Sequence, residues 1–416
     1  NSGVEAAYRY RFERSPESVT LKLGQEVSFY QERIRQDPSS GLNRALLAKT
    51  YLRMARATGE TSWYLLAEQT AQDSLVKLPY QNDGAIFALA RVATAKHDFP
   101  AALKLVQQAS QNEETLAVQV TANLAMGKVD VAKQASDRLA AQNPDLNSLT
   151  LRALVGVSQG KDQAAIQDFQ QALAAEEPEE IGSSVWARTA LGRLYFKRGE
   201  LDQAGKLYQE ALRILPNYPP ALLNSAELAI RRGKYQVAED LYARFFQISK
   251  NSPTVYDHVI YRGMARVKQL EGDSASATQW RNEAEARLRQ DLTTFGHRRE
   301  LARLLLEKGR PQDVTEALTL MQAEVKVRRD AETMDTLAFA FAQLGRWQEA
   351  QQAMQAVLRS GIRDPALFYR AGTIEQALGR SPQATAFFKA AQETDPKFDD
   401  QARQALGLGV GLLGLN

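Results

Sequence analysis

The chain has 416 residues, 44% of them hydrophobic and 24% charged, a composition that can bury a large core and excludes wholesale disorder. Its 52 lysines and arginines stand against 49 acidic residues, a net charge of +3 that does not by itself imply nucleic acid. The absence of cysteine excludes disulfide frameworks, thiol nucleophiles, iron–sulfur clusters and cysteine-based zinc sites.

Residues 1–40 read as a lead segment with one helix, capped by Ser15, with Pro16 at its first position, Glu17 in its first turn and Pro38 as its stop. Residues 41–179 read as degenerate repeats. The earliest pairs LNRALLAKTYLRMARATG with WYLLAEQTAQDSLVKLP, and its turn is expected to be about seven residues longer than in other units. Ala90, Ala102 and Ala109 mark a unit at 83–112, Gly127, Ala132 and Pro144 one at 113–145, and Gly160, Ala165, Phe169 and Ala172 one at 146–179. Gly160 to Gly199 is 39 residues rather than 34, so five residues are inserted at Glu176–Glu180, read as a longer loop rather than a hinge.

Residues 185–398 hold the clearest period. Gly199, Ala204 and Tyr208 fall on Gly233, Ala238 and Tyr242, each 34 residues on, and Gly345, Ala350 and Met354 fall on Gly379, Ala384 and Phe388. This places units at 185–218, 219–252, 331–364 and 365–398. Gly272, Ala277 and Ala284 mark another at 258–291, and Gly309, Ala317 and Met321 one at 295–330 whose turn is expected to carry about three extra residues. Residues 399–416 supply a capping helix, Asp399 to Ala405, and a Gly/Leu-rich tail. That tail contains the longest apolar run, Leu406 to Leu415, which falls short of the roughly 20 residues of a membrane span.

Each unit reads as two short amphipathic helices, the first ended by a left-handed glycine and the second held close by small residues. The order Gly192, Tyr195, Ala204, Tyr208, Ala211 and Pro216 resembles the tetratricopeptide repeat, and the resemblance extends over about 360 residues. It implies an all-α fold, a right-handed α-solenoid or superhelix of about ten such helix pairs, with a concave groove lined by the first helix of each pair. More loosely, YQERIRQDP, TYLRMARATGE and RRDAETMDTLAFAFAQLGRWQEA look like bacterial members of that group, many of them exported. The chain opens at Asn1 rather than Met, as an exported chain without its signal peptide would. A cytoplasmic fragment would open the same way, so the compartment stays open, with a periplasmic or otherwise exported location slightly favoured over a cytoplasmic one.

Carried onto this sequence, the family's groove positions give Trp186, Arg193, Phe196, Lys197, Arg231, Arg262, Arg266, Arg299, Arg303 and Tyr369, with Asn224 where the family often holds a peptide backbone. Seven of these are basic, and arginine's planar fork suits carboxylates. The expected partner is a protein or peptide with an acidic segment, anchored by Trp186, Phe196 and Tyr369, and a homo-oligomer is left open. The clamp of chaperone-binding members is not expected, because Thr189 and Gly263 stand where its lysine and arginine belong. RNA along the same groove is the alternative, opposed by the small net charge and the few groove aromatics.

No catalytic residue, cofactor or metal site is expected. The three histidines, His97, His258 and His297, lack metal-ligand spacing. His97 reads as a residue of the interhelix turn and His258 as a helix-start residue. Gly156–Asp162 lacks one spacer and the Ser or Thr of a phosphate-binding loop, and GxGxxG at Gly409, Gly411 and Gly414 would need a strand before it and a helix after it, whereas the sequence ends two residues later.

Overall fold

The computed structural model describes residues 8–15 and 17–411. Among these there are 22 helices and no strand, arranged as a helical solenoid. A lead helix, Val19–Gln36, is followed by ten antiparallel pairs and a short final helix, Asp400–Gln404. The pairs begin with Gly41–Thr58 and Thr61–Lys77 and end with Pro365–Ala377 and Ser381–Thr394; the central ones include Ile181–Lys197 with Leu201–Ile214 and Pro219–Arg231 with Tyr235–Ser249. No described helix is long and apolar enough to cross a membrane.

Within a pair, small residues let the helices touch. Ala204, Ala238, Ala277, Ala317, Ala350 and Ala384 are all buried, and the ring of Tyr208 lies against Gly192, where a Cβ would collide with it. Burial of these apolar faces, at about 25 cal/mol per Å², holds neighbours together.

Insertions behave differently from the expectation. The turn after Gly59 and the turn after Gly309 are as short as the others, because the second helices begin at Thr61 and Pro311. The additional residues belong to the start of the second helix: nothing in Thr61–Trp63 breaks it, and proline is well suited to a helix's first turn. The lead helix starts later than expected. Ser18 caps it, its side chain accepting from the Leu21 N–H, while Ser15 accepts only from the Glu17 N–H; Pro16 lies outside the described residues.

The five inserted residues form a loop pinned from within. Glu176 and Arg188, both buried, make a two-pronged ion pair with both distances 2.7 Å. Arg188 also donates to the carbonyls of Tyr8 and Ser184. Tyr8 reaches the Tyr195 hydroxyl at 3.1 Å and the Tyr10 hydroxyl donates to Pro178 O, so the segment ahead of the lead helix straps the insertion.

The solenoid closes on itself. Thr61 N–H donates to Pro253 O and Val255 N–H to Gly59 O, both at 2.9 Å. His97 Nδ1 meets Gly296 O at 2.9 Å, 199 residues away, and Arg329 N–H donates to Ala125 O at 2.7 Å. Gly160 abuts Gly361 and Gly199 abuts Asp395. In every case the turn inside one pair meets the loop entering the sixth pair, or the final helix, further along. Successive turns of the superhelix are therefore in contact.

Two substitutions test these contacts. Gly160 and Gly345 are both left-handed, so Gly345→Ala should cost about 1–2 kcal/mol for conformation alone. A Cβ on Gly160 would overlap the Gly361 carbonyl, whereas one on Gly345 meets nothing, so Gly160→Ala should cost a further 1–3 kcal/mol or so from overpacking and enlarge the radius seen by small-angle scattering. Equal urea midpoints for the two variants would show that the turns do not touch. Glu176→Gln strands the buried Arg188 guanidinium and should lower unfolding free energy by about 3–5 kcal/mol, read by the same denaturation.

Candidate peptide-binding channel

Closure of the superhelix converts the groove into a chamber whose free space is a cavity of about 110 Å³. Six of the expected basic residues line it: Arg193, Lys197, Arg231, Arg262, Arg299 and Arg303, with Phe196 among them. Six carboxylates line it too, namely Glu227, Glu300, Glu332, Asp335, Asp364 and Asp395. The wall is thus balanced in formal charge.

Most cations are paired across successive repeats. Arg193 bonds Glu227 at 2.5 Å, Lys197 bonds Asp364 at 2.5 Å, and Arg231 bonds Asp395 at 2.6 Å while donating to Phe196 O. The ring of Phe196 lies under both Arg193 and Arg231, 5.9 and 5.1 Å from their guanidinium carbons. Arg303 bonds Asp335 at 3.0 Å, Arg370 reaches the same carboxylate at 2.6 Å, and Arg299 approaches Glu300, Asp330 and Glu332. Arg262 and Arg266 share Glu307 at 3.5 and 3.7 Å.

Burial would raise the pKa of Asp335, but Arg370 and Arg303 more than offset this and hold it below the usual carboxylate range. Arg262, Arg266 and Arg303 do the same for Glu307. Both stay ionised, so the wall is a lattice of charge pairs in a medium of low dielectric.

Trp186 and Tyr369 stand apart from the chamber lining. Trp186 is half-buried under the Arg56 guanidinium at 5.4 Å. Tyr369 packs on Phe388 and Phe398, with Arg403 above its ring at 4.4 Å.

The channel contains a segment of the chain itself. The final helix packs on Pro219–Arg231, with Gln401 Nε2 donating to Ile230 O and Arg266 donating to Gln404 O. Beyond it, Leu406–Gly411 runs between the walls. Asn224 holds its backbone from both sides: Val410 N–H donates to Asn224 Oδ1 at 2.6 Å, and Asn224 Nδ2 donates to Val410 O at 3.4 Å. Leu408 and Val410 are each 1% exposed, packed with Leu222, Leu223, Ala226 and Val259. Gly407 lies beside Arg262 and Arg303, and Gly409 against the Arg193–Glu227 pair, where a Cβ would collide. Alternation explains the composition: apolar residues fill pockets while glycines pass between charged pairs. Residues 412–416, including Gly414, lie outside the described residues.

Asn224 stands where the resemblance expects a hold on a peptide backbone, and in the structure it bonds the chain's own Val410. The acids Asp364 and Asp395 were not identifiable in the sequence, because they sit in loops between repeats, and the alternation of Leu408 and Val410 with Gly407, Gly409 and Gly411 is the signal that marks the occupant.

Family models described as the tetratricopeptide repeat match residues 118–180, 185–228 and 336–397. Human tetratricopeptide repeat protein 7B is 28% identical over 88 residues, 21% of this chain and 10% of that protein; the match thus spans a tenth of that relative's length. Similar solved structures include a tetratricopeptide repeat protein from Parabacteroides merdae, 17% identical, covering 72% of this chain and 99% of that one with a TM-score of 0.35. IFIT1, in a monomeric mutant with Gppp-AAAA, is 13% identical over 84% of this chain and 80% of its own, TM-score 0.46. A chain of the APC/C hetero-tetramer Cut9-Hcn1 is 13% identical over 93% and 94%, TM-score 0.36. The chain carries tetratricopeptide repeats, which generally serve as scaffolds for protein–protein interaction.

Proposed function

We propose that the chain is a non-enzymatic scaffold whose channel receives an extended segment of a protein partner during assembly or maturation of a complex, and that Leu406–Gly411 is the internal competitor for that place. The observation that carries this reading is the two-sided hold of Asn224 on the Val410 backbone, with Leu408 and Val410 buried. Side-chain pockets for alternate residues and hydrogen bonds to the main chain are how a protein grips an extended peptide. Acidic residues flanking the partner's apolar stretch would be drawn to Arg262, Arg266 and Arg303, the cations nearest the mouth of this path. RNA is the weaker alternative, since six carboxylates face the same space as the cations and would repel a phosphate backbone.

The test uses a fluorescent peptide copying Leu406–Asn416. With the internal segment expelled by Leu408→Asp and Val410→Asp, and folding checked by circular dichroism, the peptide should bind at least tenfold more tightly than it does to the unaltered chain. Adding Asn224→Ala should weaken binding about tenfold, the worth of two modest hydrogen bonds. An acid-flanked version should lose affinity on Arg262→Glu with Arg266→Glu, while the neutral copy should not. Size exclusion of the mixture separates binding in place from exchange of the segment between two copies. No peptide binding by the opened channel would overturn the reading.

A further inference from the structure

The three histidines, separated by up to 200 positions in sequence, converge at one junction between superhelical turns. His97 comes from the turn between helices Asp83–Ala95 and Phe99–Val106; His258 opens helix Asp257–Leu270, and His297 and Glu300 open helix Arg298–Lys308. Ligand atoms of His97, His297 and Glu300 all lie within 4.8 Å of one another, and all three residues are buried. His258 stands over His297 at 4.7 Å between ring centroids. From this convergence we propose that His97, His297 and Glu300, joined by His258, bind one divalent transition-metal ion of the zinc class.

The donors present themselves for it. His97 Nδ1 faces the Gly296 carbonyl at 2.9 Å, and a carbonyl only accepts, so Nδ1 carries the proton and Nε2 keeps its lone pair for a metal. This backbone-carbonyl contact is the usual orienting contact of a metal-bound imidazole. Both nitrogens of His258, Nδ1 of His297 and both carboxylate oxygens of Glu300 are buried without a hydrogen-bond partner, although buried polar groups are otherwise almost always satisfied. His97 adopts a left-handed backbone at φ 60°, in a turn position that glycine fills in most other pairs.

Charge permits a cation here. Arg299 and Arg328 make their closest approach to Glu300 through Oε1, at 3.1 and 3.5 Å. The surrounding network sets three guanidiniums, Arg298, Arg299 and Arg328, against four carboxylates, Glu300, Glu324, Asp330 and Glu332. The excess is one negative charge. His258 and Glu300 also line the central chamber, which gives the ion a route in. Imidazole-rich donors select zinc and its neighbours over magnesium and calcium. Bonds of about 2.0–2.1 Å would draw the donors closer together than they now stand. The ion would then tie the second pair to the loop entering the eighth, fastening one superhelical turn to the next.

The sequence makes the test clean, since the chain has three histidines and no cysteine. An untagged full-length chain is stripped with chelator, dialysed against zinc, and assayed for bound metal by mass spectrometry and for thermal unfolding. About one zinc per chain, with unfolding raised by several degrees, is expected; magnesium and calcium should give neither. Cobalt(II) should give the visible spectrum of a low-coordinate nitrogen and oxygen site. His297→Gln and Glu300→Gln should each lose the ion at least tenfold more readily, and a variant with all three histidines replaced by glutamine should not retain it. If the unaltered chain takes up no zinc, or if the triple variant takes up as much, the proposal fails; the first result needs no variant to fold.

Discussion

The rest of the structure depends on contact between superhelical turns. A stack of helix pairs in which each touches only its neighbours is extended and open, and its stability is a sum of local terms. Here the turn inside each of the first five pairs also meets a loop six units later: Gly59 with Val255, His97 with Gly296, Ala125 with Arg329, Gly160 with Gly361 and Gly199 with Asp395. These are main-chain contacts for the most part, and they demand small residues or none beyond the backbone. Unfolding one pair in such an arrangement also breaks contacts with a distant one, so cooperativity extends beyond nearest neighbours.

Closure explains the electrostatics of the interior. A guanidinium in an open groove would be solvated, and an ion pair there would contribute little. Brought within a closed wall, Arg193, Arg231 and Arg299 are each less than a tenth exposed, and a lone charge at such depth would be costly. Each therefore has a carboxylate beside it, contributed by the next repeat or by the next superhelical turn, as in Arg231 with Asp395 and Lys197 with Asp364. The pairs fix register as well as charge, because a slip of one repeat would leave several buried ions without partners.

The fold was legible because repetition is local. Gly199 to Gly233 and Tyr208 to Tyr242 report the same helix pair twice, and the place of Asn224 in the unit raises the expectation of a backbone contact. What happens six units away is not written in any one repeat: superhelical pitch accumulates from small rotations at every interface, and a sequence period fixes the unit but not the rotation. That is why His97, His258 and His297 looked scattered, and why Asp364 and Asp395 in the connecting loops went unassigned. Extra residues near Gly59 and Gly309 were placed in turns by spacing alone, whereas helix propensity and Pro311 put them in the second helices.

The occupied channel and the closed superhelix are mechanically coupled. Arg231, whose helix Pro219–Arg231 also carries Asn224, bonds Asp395 in the loop that leads into the final helix, and Arg266 holds the Gln404 carbonyl. The Leu406–Gly411 segment is thus fed into the channel by the same junction that closes the last turn. A polypeptide competing for Asn224 must displace Leu408 and Val410 from apolar pockets and, with them, loosen the anchoring around Asp395. Conversely, anything that tightens the turn contacts stabilises the occupied state. On the function proposed above, occupancy and closure bias one another by a shared free energy, equal in both directions, and the chain's own segment sets the threshold that an incoming partner would have to exceed.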